Sequence, residues 1–186
     1  MVQSLASTLA LTGALILSAA GARAECPAPP DHSVAETGLL DRLATSRTEM
    51  EGRQISGELW QLYFDAPDRE AQTLLDDGLG RLRIADYAGA IEILSALVAR
   101  CPDYAEGWNQ RAFASFLSND FASAVSDLEE ALRLSPRHVP AMSGLALSLM
   151  GLGRTEAAQS VLRDALALNP WLPERRYLVG PPSKDI

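Results

Sequence analysis

The chain has 186 residues, enough for one domain of ordinary size. Its 24 acidic and 16 basic residues give a net charge of −8, with no basic cluster in the sequence. Such a chain repels phosphate backbones and anionic membrane surfaces. We therefore expect no nucleic-acid partner.

The first 24 residues have the pattern of a cleaved secretory signal. An apolar run without charge covers residues 5–20, and Ala22 and Ala24 supply the small-x-small pattern that signal peptidase accepts. The run is short for a membrane span, which needs about 20 apolar residues. We expect residues 1–24 to be removed from an exported protein, periplasmic if bacterial, without membrane insertion after cleavage. An N-terminal anchor is the alternative.

Two segments separate the signal from the rest of the chain. Residues 25–33 are Pro-rich and predict an extended lead-in. Residues 34–67 predict a pair of amphipathic helices: Thr48 and Glu51 have the spacing of a capping box, and Pro67 disfavours helix at the residue before it. We expect this pair to act as an N-terminal cap or a degenerate repeat.

The remaining sequence repeats with a period of 34 residues and no gaps. The windows are 71–104, 105–138 and 139–172. Identical residues recur at three registers: Pro102, Pro136 and Pro170; Ala90, Ala124 and Ala158; Leu94, Leu128 and Leu162. Agreement at several registers at once predicts three copies of one structural unit. Residues 173–186 then form a short stub and tail.

The register resembles that of the tetratricopeptide repeat (TPR) family. The family pattern is a large residue, two small residues, an aromatic, an alanine and a proline at fixed places, and the second window carries all six: Trp108, Ala112, Ala124, Phe121, Ala131 and Pro136. Leu97 replaces the alanine of the first window and Thr155 the aromatic of the third. The resemblance implies two antiparallel helices per window, stacked into an all-α solenoid because one repeat cannot bury its apolar face alone.

The resemblance also implies a concave groove, lined by the first helix of each repeat, that binds peptides. The groove positions are largely apolar here, with no lysine, unlike the TPR version that clamps a C-terminal carboxylate. The candidate groove residues are Leu75, Leu79, Leu82, Asn109, Gln110, Phe113, Phe116, Leu147 and Met150. Either an apolar segment of a partner fills this groove, or the protein's own helices and chain ends fill it and some of these residues are core.

The two cysteines, Cys26 and Cys101, predict a disulfide, because an oxidising compartment favours their pairing. Pairing of Cys26 with another molecule is the alternative. A nucleophilic Cys101 needs a base, and only His32 and His138 are available, without a local catalytic signature. The chain has no HExxH, GxGxxG, Walker or GxSxG motif. We therefore expect no catalytic residues, cofactor or metal.

These observations predict a non-enzymatic, exported scaffold or adaptor that binds another protein through a preformed groove. One alternative is a structural envelope component whose solenoids associate with one another. A second is a subunit or regulator of an exported enzyme complex. An enzyme hidden in the helical scaffold is disfavoured, because no catalytic constellation is visible in the sequence.

Overall fold

A computed structural model describes residues 26–180, so the predicted signal over 1–24 and most of the predicted tail lie outside the described residues. Within this range the secondary structure is helical, without strands. The helices are α1 (Ser33–Thr45), α2 (Glu49–Tyr63), α3 (Arg69–Arg83), α4 (Tyr87–Arg100), α5 (Ala105–Leu117), α6 (Phe121–Leu134), α7 (Val139–Gly151), α8 (Thr155–Leu168) and the 3₁₀ helix η1 (Pro173–Tyr177).

Helices α3 to α8 form the three predicted repeats. They pair as α3 with α4, α5 with α6 and α7 with α8. The second helix of each repeat also packs on the first helix of the next, and the first helices α3, α5 and α7 lie side by side. This arrangement confirms the all-α solenoid.

Small residues set the distance between the paired helices. A Cβ on Gly78 of α3 would lie 2.7 Å from the Leu94 side chain of α4, so a larger residue at this contact would require the Leu94 side chain to move. Ala112 and Ala146 have the same register in the next repeats and are fully buried. Close approach of the two helices explains the small residues seen in the repeat pattern.

The turn inside each repeat uses one backbone conformation. Ala85, Asn119 and Gly153 have positive φ angles of 58°, 64° and 73°, and they occupy the same register of successive repeats. Each is followed by the residue that precedes the second helix. Because the left-handed region favours glycine and tolerates asparagine, Ala85 is the strained member of the set.

The helical pair α1–α2 caps the solenoid along an edge. The two helices pack on each other, and α1 also contacts α8, whereas α2 has few contacts with α3. Its apolar residues share one cluster with residues of the last repeat: Leu40, Leu43, Ile55 and Leu59 with Val139, Leu168, Trp171 and Leu172. The pair therefore covers the edge where the repeats are joined, and it does not stack on α3 in the manner of a further repeat.

Trp171 is the centre of this contact. Its indole Nε1 donates to Ser46 Oγ at 2.6 Å. A Cβ on Gly52 would overlap the Trp171 ring, so the glycine of α2 admits the indole. Nearby, Asn169 Nδ2 donates to Ser56 Oγ at 3.2 Å. The segment after α8 is thus held against both N-terminal helices.

A disulfide joins the Pro-rich lead-in to the first repeat. The Cys26 and Cys101 sulfurs are 2.03 Å apart, and Cys101 is buried at the end of α4. The bond holds the start of the described chain beside the turn between the first and second repeats. No helix within residues 26–180 is long and apolar enough to cross a membrane.

Candidate functional site

Three of the nine predicted groove residues are inside the protein. Leu75 is fully buried in the core of the first repeat. Asn109 and Gln110 are buried polar residues of α5. They contribute to packing and to internal hydrogen bonds and present little surface to a partner.

The other six form an apolar strip of two parallel rows. Leu79, Phe113 and Leu147 make one row and Leu82, Phe116 and Met150 the other. Within each row the residues have equivalent positions on the adjacent helices α3, α5 and α7. Phe113, in the middle, is 47% exposed.

The remaining strip residues are half-buried, and four of them pack on underlying core residues. Leu79 and Leu82 pack against the core of the first repeat, together with Phe64 from the end of α2. Phe116 and Met150 pack against the core shared by the second and third repeats. The strip is therefore a firm apolar surface with Phe113 projecting from its centre.

Asn109 and Gln110 are buried because they satisfy a buried carboxylate. Glu106, one turn earlier on α5, is 1% exposed. Its oxygens accept from Asn109 Nδ2 at 3.2 Å and from Gln110 Nε2 at 2.5 Å. A charge taken out of water needs such donors, so the two amides are committed to Glu106.

His138, just before α7, lies against the same carboxylate. Its Nδ1 accepts from the Ala141 N–H at 3.2 Å, which caps α7 and leaves the proton on Nε2 in the neutral ring. Nε2 lies 2.9 Å from Glu106 Oε2, but its N–H is not aligned for a hydrogen bond. Tyr63 of α2 stacks on the imidazole with ring centroids 3.9 Å apart.

Tyr63 connects this cluster to α1. Its hydroxyl donates to Glu36 Oε1 at 3.0 Å. Burial raises the pKa of Tyr63, and the negative charges of Glu36 and Glu106 raise that pKa further. Tyr104 hydroxyl donates to the Tyr63 carbonyl at 2.7 Å, and burial followed by the Glu106 charge raises the pKa of Tyr104 as well.

A cavity of about 240 Å³ opens beside these side chains, between the lead-in, α2 and the turns that precede α5 and α7. We call it the acidic cavity because five carboxylates line it: Asp31, Glu36, Asp65, Asp103 and Glu106. Its other lining residues include His32 and His138 but no arginine or lysine. Among residues 26–180, no group of three or more His, Cys, Asp or Glu side chains is arranged to hold a metal ion.

The acidic cavity was not predicted from the sequence. The available signal was local: Asn109 and Gln110 lie three and four residues after Glu106, the spacing at which helix side chains meet. The contacts of Tyr63 and His138 join residues from different elements without a periodic pattern. The sequence predicts an extended lead-in but not that this segment closes a cavity.

Comparison with known proteins identifies the repeats. The Tetratricopeptide repeat family profile matches residues 115–178. A TPR repeat-containing protein of Rhizobium etli is 37% identical over 133 residues, which are 72% of this chain and 61% of the relative. The chain belongs to the tetratricopeptide repeat family. It spans about three fifths of the length of this relative.

Solved TPR domains share the fold. The Arabidopsis OM64 TPR domain superimposes with a TM-score of 0.57 at 18% identity, covering 59% of this chain and 90% of the domain. The second TPR domain of human RPAP3, solved with the HSP70 peptide SGPTIEEVD, gives a TM-score of 0.55 at 22% identity, covering 57% and 89%. At these identities the likeness concerns the fold alone.

Proposed function

We propose that this TPR protein is an exported, non-enzymatic adaptor that binds an apolar or amphipathic segment of another protein along the apolar strip. The observation that carries the proposal is Phe113. A large aromatic side chain that is 47% exposed, at the centre of two apolar rows, has the character of a binding anchor.

Peptide binding by a related fold supports the proposal. The human RPAP3 domain was solved with a peptide of HSP70. The chemistry of recognition differs here, since the repeats contain no lysine and Asn109 is occupied by Glu106. An apolar partner segment therefore suits this surface better than a C-terminal carboxylate.

Export is part of the same proposal, with the periplasm as the compartment in a bacterium. It is supported by the signal pattern of residues 1–24 and by the Cys26–Cys101 bond, because disulfides persist in oxidising compartments. Binding to a preformed surface requires no covalent step.

The test is crosslinking of the tagged mature protein in its exported compartment, followed by mass spectrometry. Phe113→Ser should remove the dominant partner. Ile84→Ser is the matched control, because Ile84 is 71% exposed but lies outside the strip. Retention of the partner by a stable Phe113→Ser protein would refute the strip as the binding site. Recovery of the chain alone would replace the adaptor by the self-assembling alternative.

A further inference from the structure

The acidic cavity is distinct from the apolar strip, and its lining has more carboxylates than groups that can carry a positive charge. Within residues 26–180, none of its five carboxylates forms an ion pair with an arginine or lysine. Glu36 accepts from a tyrosine hydroxyl and Asp65 lies 2.8 Å from His32 Nε2. These partners orient the carboxylates and leave the cavity negative.

Glu106 makes this charge unusual. It is 1% exposed, and its hydrogen-bond donors are neutral amides. A buried carboxylate without an arginine or lysine partner is unfavourable, and its field is weakly screened. A cation entering the cavity would compensate that charge.

A second observation is the unused donor of His138. This side chain lines the cavity and is 1% exposed, and its Nε2 lies 2.9 Å from Glu106 Oε2 without forming an aligned hydrogen bond to it. Buried donors in folded proteins are normally satisfied. The unused capacity points to a bound group that brings an acceptor, such as a peptide carbonyl, together with the cation.

The dimensions limit the ligand. About 240 Å³ is below the usual range for a drug-sized ligand or cofactor, but it accommodates one long side chain. Leu62 and Tyr63 in the wall can pack against methylene groups, and a planar guanidinium can donate to several carboxylates at once.

We infer that the acidic cavity binds the side chain of an arginine from a partner polypeptide, with the guanidinium donating to the carboxylates of the rim. The inference rests on the proposed function in one respect, that the partner is a polypeptide. It adds a basic residue to the description of that partner, at a position separate from the segment on the strip.

The test is an NMR titration of the oxidised mature chain with capped pentapeptides. The probe is acetyl-Ala-Ala-Arg-Ala-Ala-amide, and the neutral comparison has norleucine in place of arginine. We expect saturable shifts of the Tyr63 and His138 resonances with the arginine peptide alone, weakened by added salt because the attraction is between charges. Absence of saturable shifts, or equal shifts with the norleucine peptide, would overturn the inference.

Two pairs of substitutions locate the site. Glu36→Gln with Asp103→Asn removes two rim charges, while the new amide oxygen still accepts from the Tyr63 hydroxyl. Glu129→Gln with Asp164→Asn removes the same charge from exposed helix faces outside the cavity. We expect the first pair to raise the Kd of the arginine peptide about five- to tenfold and the second pair to leave this Kd nearly unchanged. Equal weakening by both pairs would overturn the assignment.

Agmatine, a free guanidinium compound, distinguishes the source of the cation. Saturable binding of agmatine without binding of the arginine peptide would overturn the assignment to a polypeptide. Phe113→Ser should leave the affinity of the arginine peptide unchanged, because Phe113 does not line the cavity. The test of partner binding at the apolar strip and the test of arginine binding in the acidic cavity can therefore fail independently of each other.

Discussion

Single residues in the turns of the repeats have a conformational cost that can be measured. Ala85 has a φ of 58°, a region that is unfavourable for a residue with a Cβ by about 1 kcal/mol. Gly153 has a φ of 73°, and no atom lies within 4 Å of the place an alanine Cβ would take, so alanine there would be opposed by backbone conformation alone. We predict that Ala85→Gly raises the free energy of unfolding by about 0.5–1 kcal/mol and that Gly153→Ala lowers it by about 1 kcal/mol.

Urea denaturation measures both changes, and Gly57→Ala is the control. Gly57 is in the middle of α2 with open space around it, so alanine should stabilise the helix by about 0.5–1 kcal/mol. The two glycine-to-alanine substitutions thus have opposite expected signs. Stabilisation by Gly153→Ala would contradict the conformational explanation.

Asp68 carries the clearest acid-sensitive contact. Its carboxylate accepts from Arg100 Nη2 at 2.6 Å and from the Ala71 N–H at 2.9 Å, and these two interactions lower the pKa of Asp68. A lowered folded-state pKa stabilises the protein above the unfolded value of about 3.9, and this stabilisation is lost as the pH falls through the folded value.

We therefore predict that Asp68→Asn lowers the Tm most near neutral pH. The difference from the parent protein should begin to shrink as the pH falls below about 4, where the carboxylate of the unfolded state becomes protonated, and should shrink further as the pH falls through the lowered pKa of the folded state. Thermal unfolding from neutral to acid pH measures it, with Asp77→Asn on the exposed face of α3 as the charge-matched control. A Tm difference between the variant and the parent that stays constant with pH would show that the charge of Asp68 does not contribute to stability.

The second helices of the three repeats, α4, α6 and α8, do not all begin with the same N-terminal cap. Asp86 and Asp120 cap α4 and α6, each accepting a backbone N–H at 3.1 Å. Arg154 occupies the same register before α8 and makes no side-chain cap. The third repeat therefore lacks a stabilising interaction that the first two have.

We predict that Arg154→Asp stabilises the protein by about 1 kcal/mol, through the new cap and a negative charge at the start of α8. The comparison is Arg154→Ala, which removes the arginine without adding an acceptor. Chemical denaturation of both variants gives the difference. An aspartate variant no more stable than the alanine variant would contradict the prediction.

The helices of the repeats could be predicted because their signals are local and recur. The start of α2 is an example outside the repeats: Thr48 Oγ1 accepts from the Glu51 N–H at 3.2 Å, and the helix begins at Glu49 as expected. The Glu51 carboxylate accepts from the Arg47 N–H at 3.1 Å, one residue before the partner that a capping box uses. The groove was predicted only in part. Periodicity identifies concave positions, but it does not reveal that Asn109 and Gln110 turn inward to satisfy Glu106.

The position of α1–α2 could not be predicted either, because it depends on contacts between residues far apart in the sequence. Ser46 and Trp171 are 125 residues apart, and their hydrogen bond joins two segments outside the repeat pattern. The sequence shows that both segments are amphipathic or aromatic, but their partner depends on how the whole solenoid brings the chain ends together.

For the molecule as a whole, the contact of α1–α2 with α8 and Trp171 changes the expected folding behaviour. In a simple solenoid each repeat contacts only its neighbours, so stability is nearly additive along the chain. Here α1 contacts α8, which closes the arrangement between its two ends. We predict that Trp171→Ala lowers the free energy of unfolding by about 3 kcal/mol, since it removes an aromatic ring and a hydrogen bond from the contact. Amide hydrogen exchange should then accelerate in α1 and α2 as well as at the end of α8.

Gly52→Ala tests the same contact from the α2 side. The new Cβ would overlap the Trp171 ring, and no other residue of the contact is substituted. If the two ends stabilise each other through Trp171, each substitution alone releases the same interface. The double variant should then lose less stability than the sum of the single losses. Additive losses, or exchange in α1 and α2 that does not respond to Trp171→Ala, would mean that the N-terminal pair is held independently, through the lead-in and its disulfide.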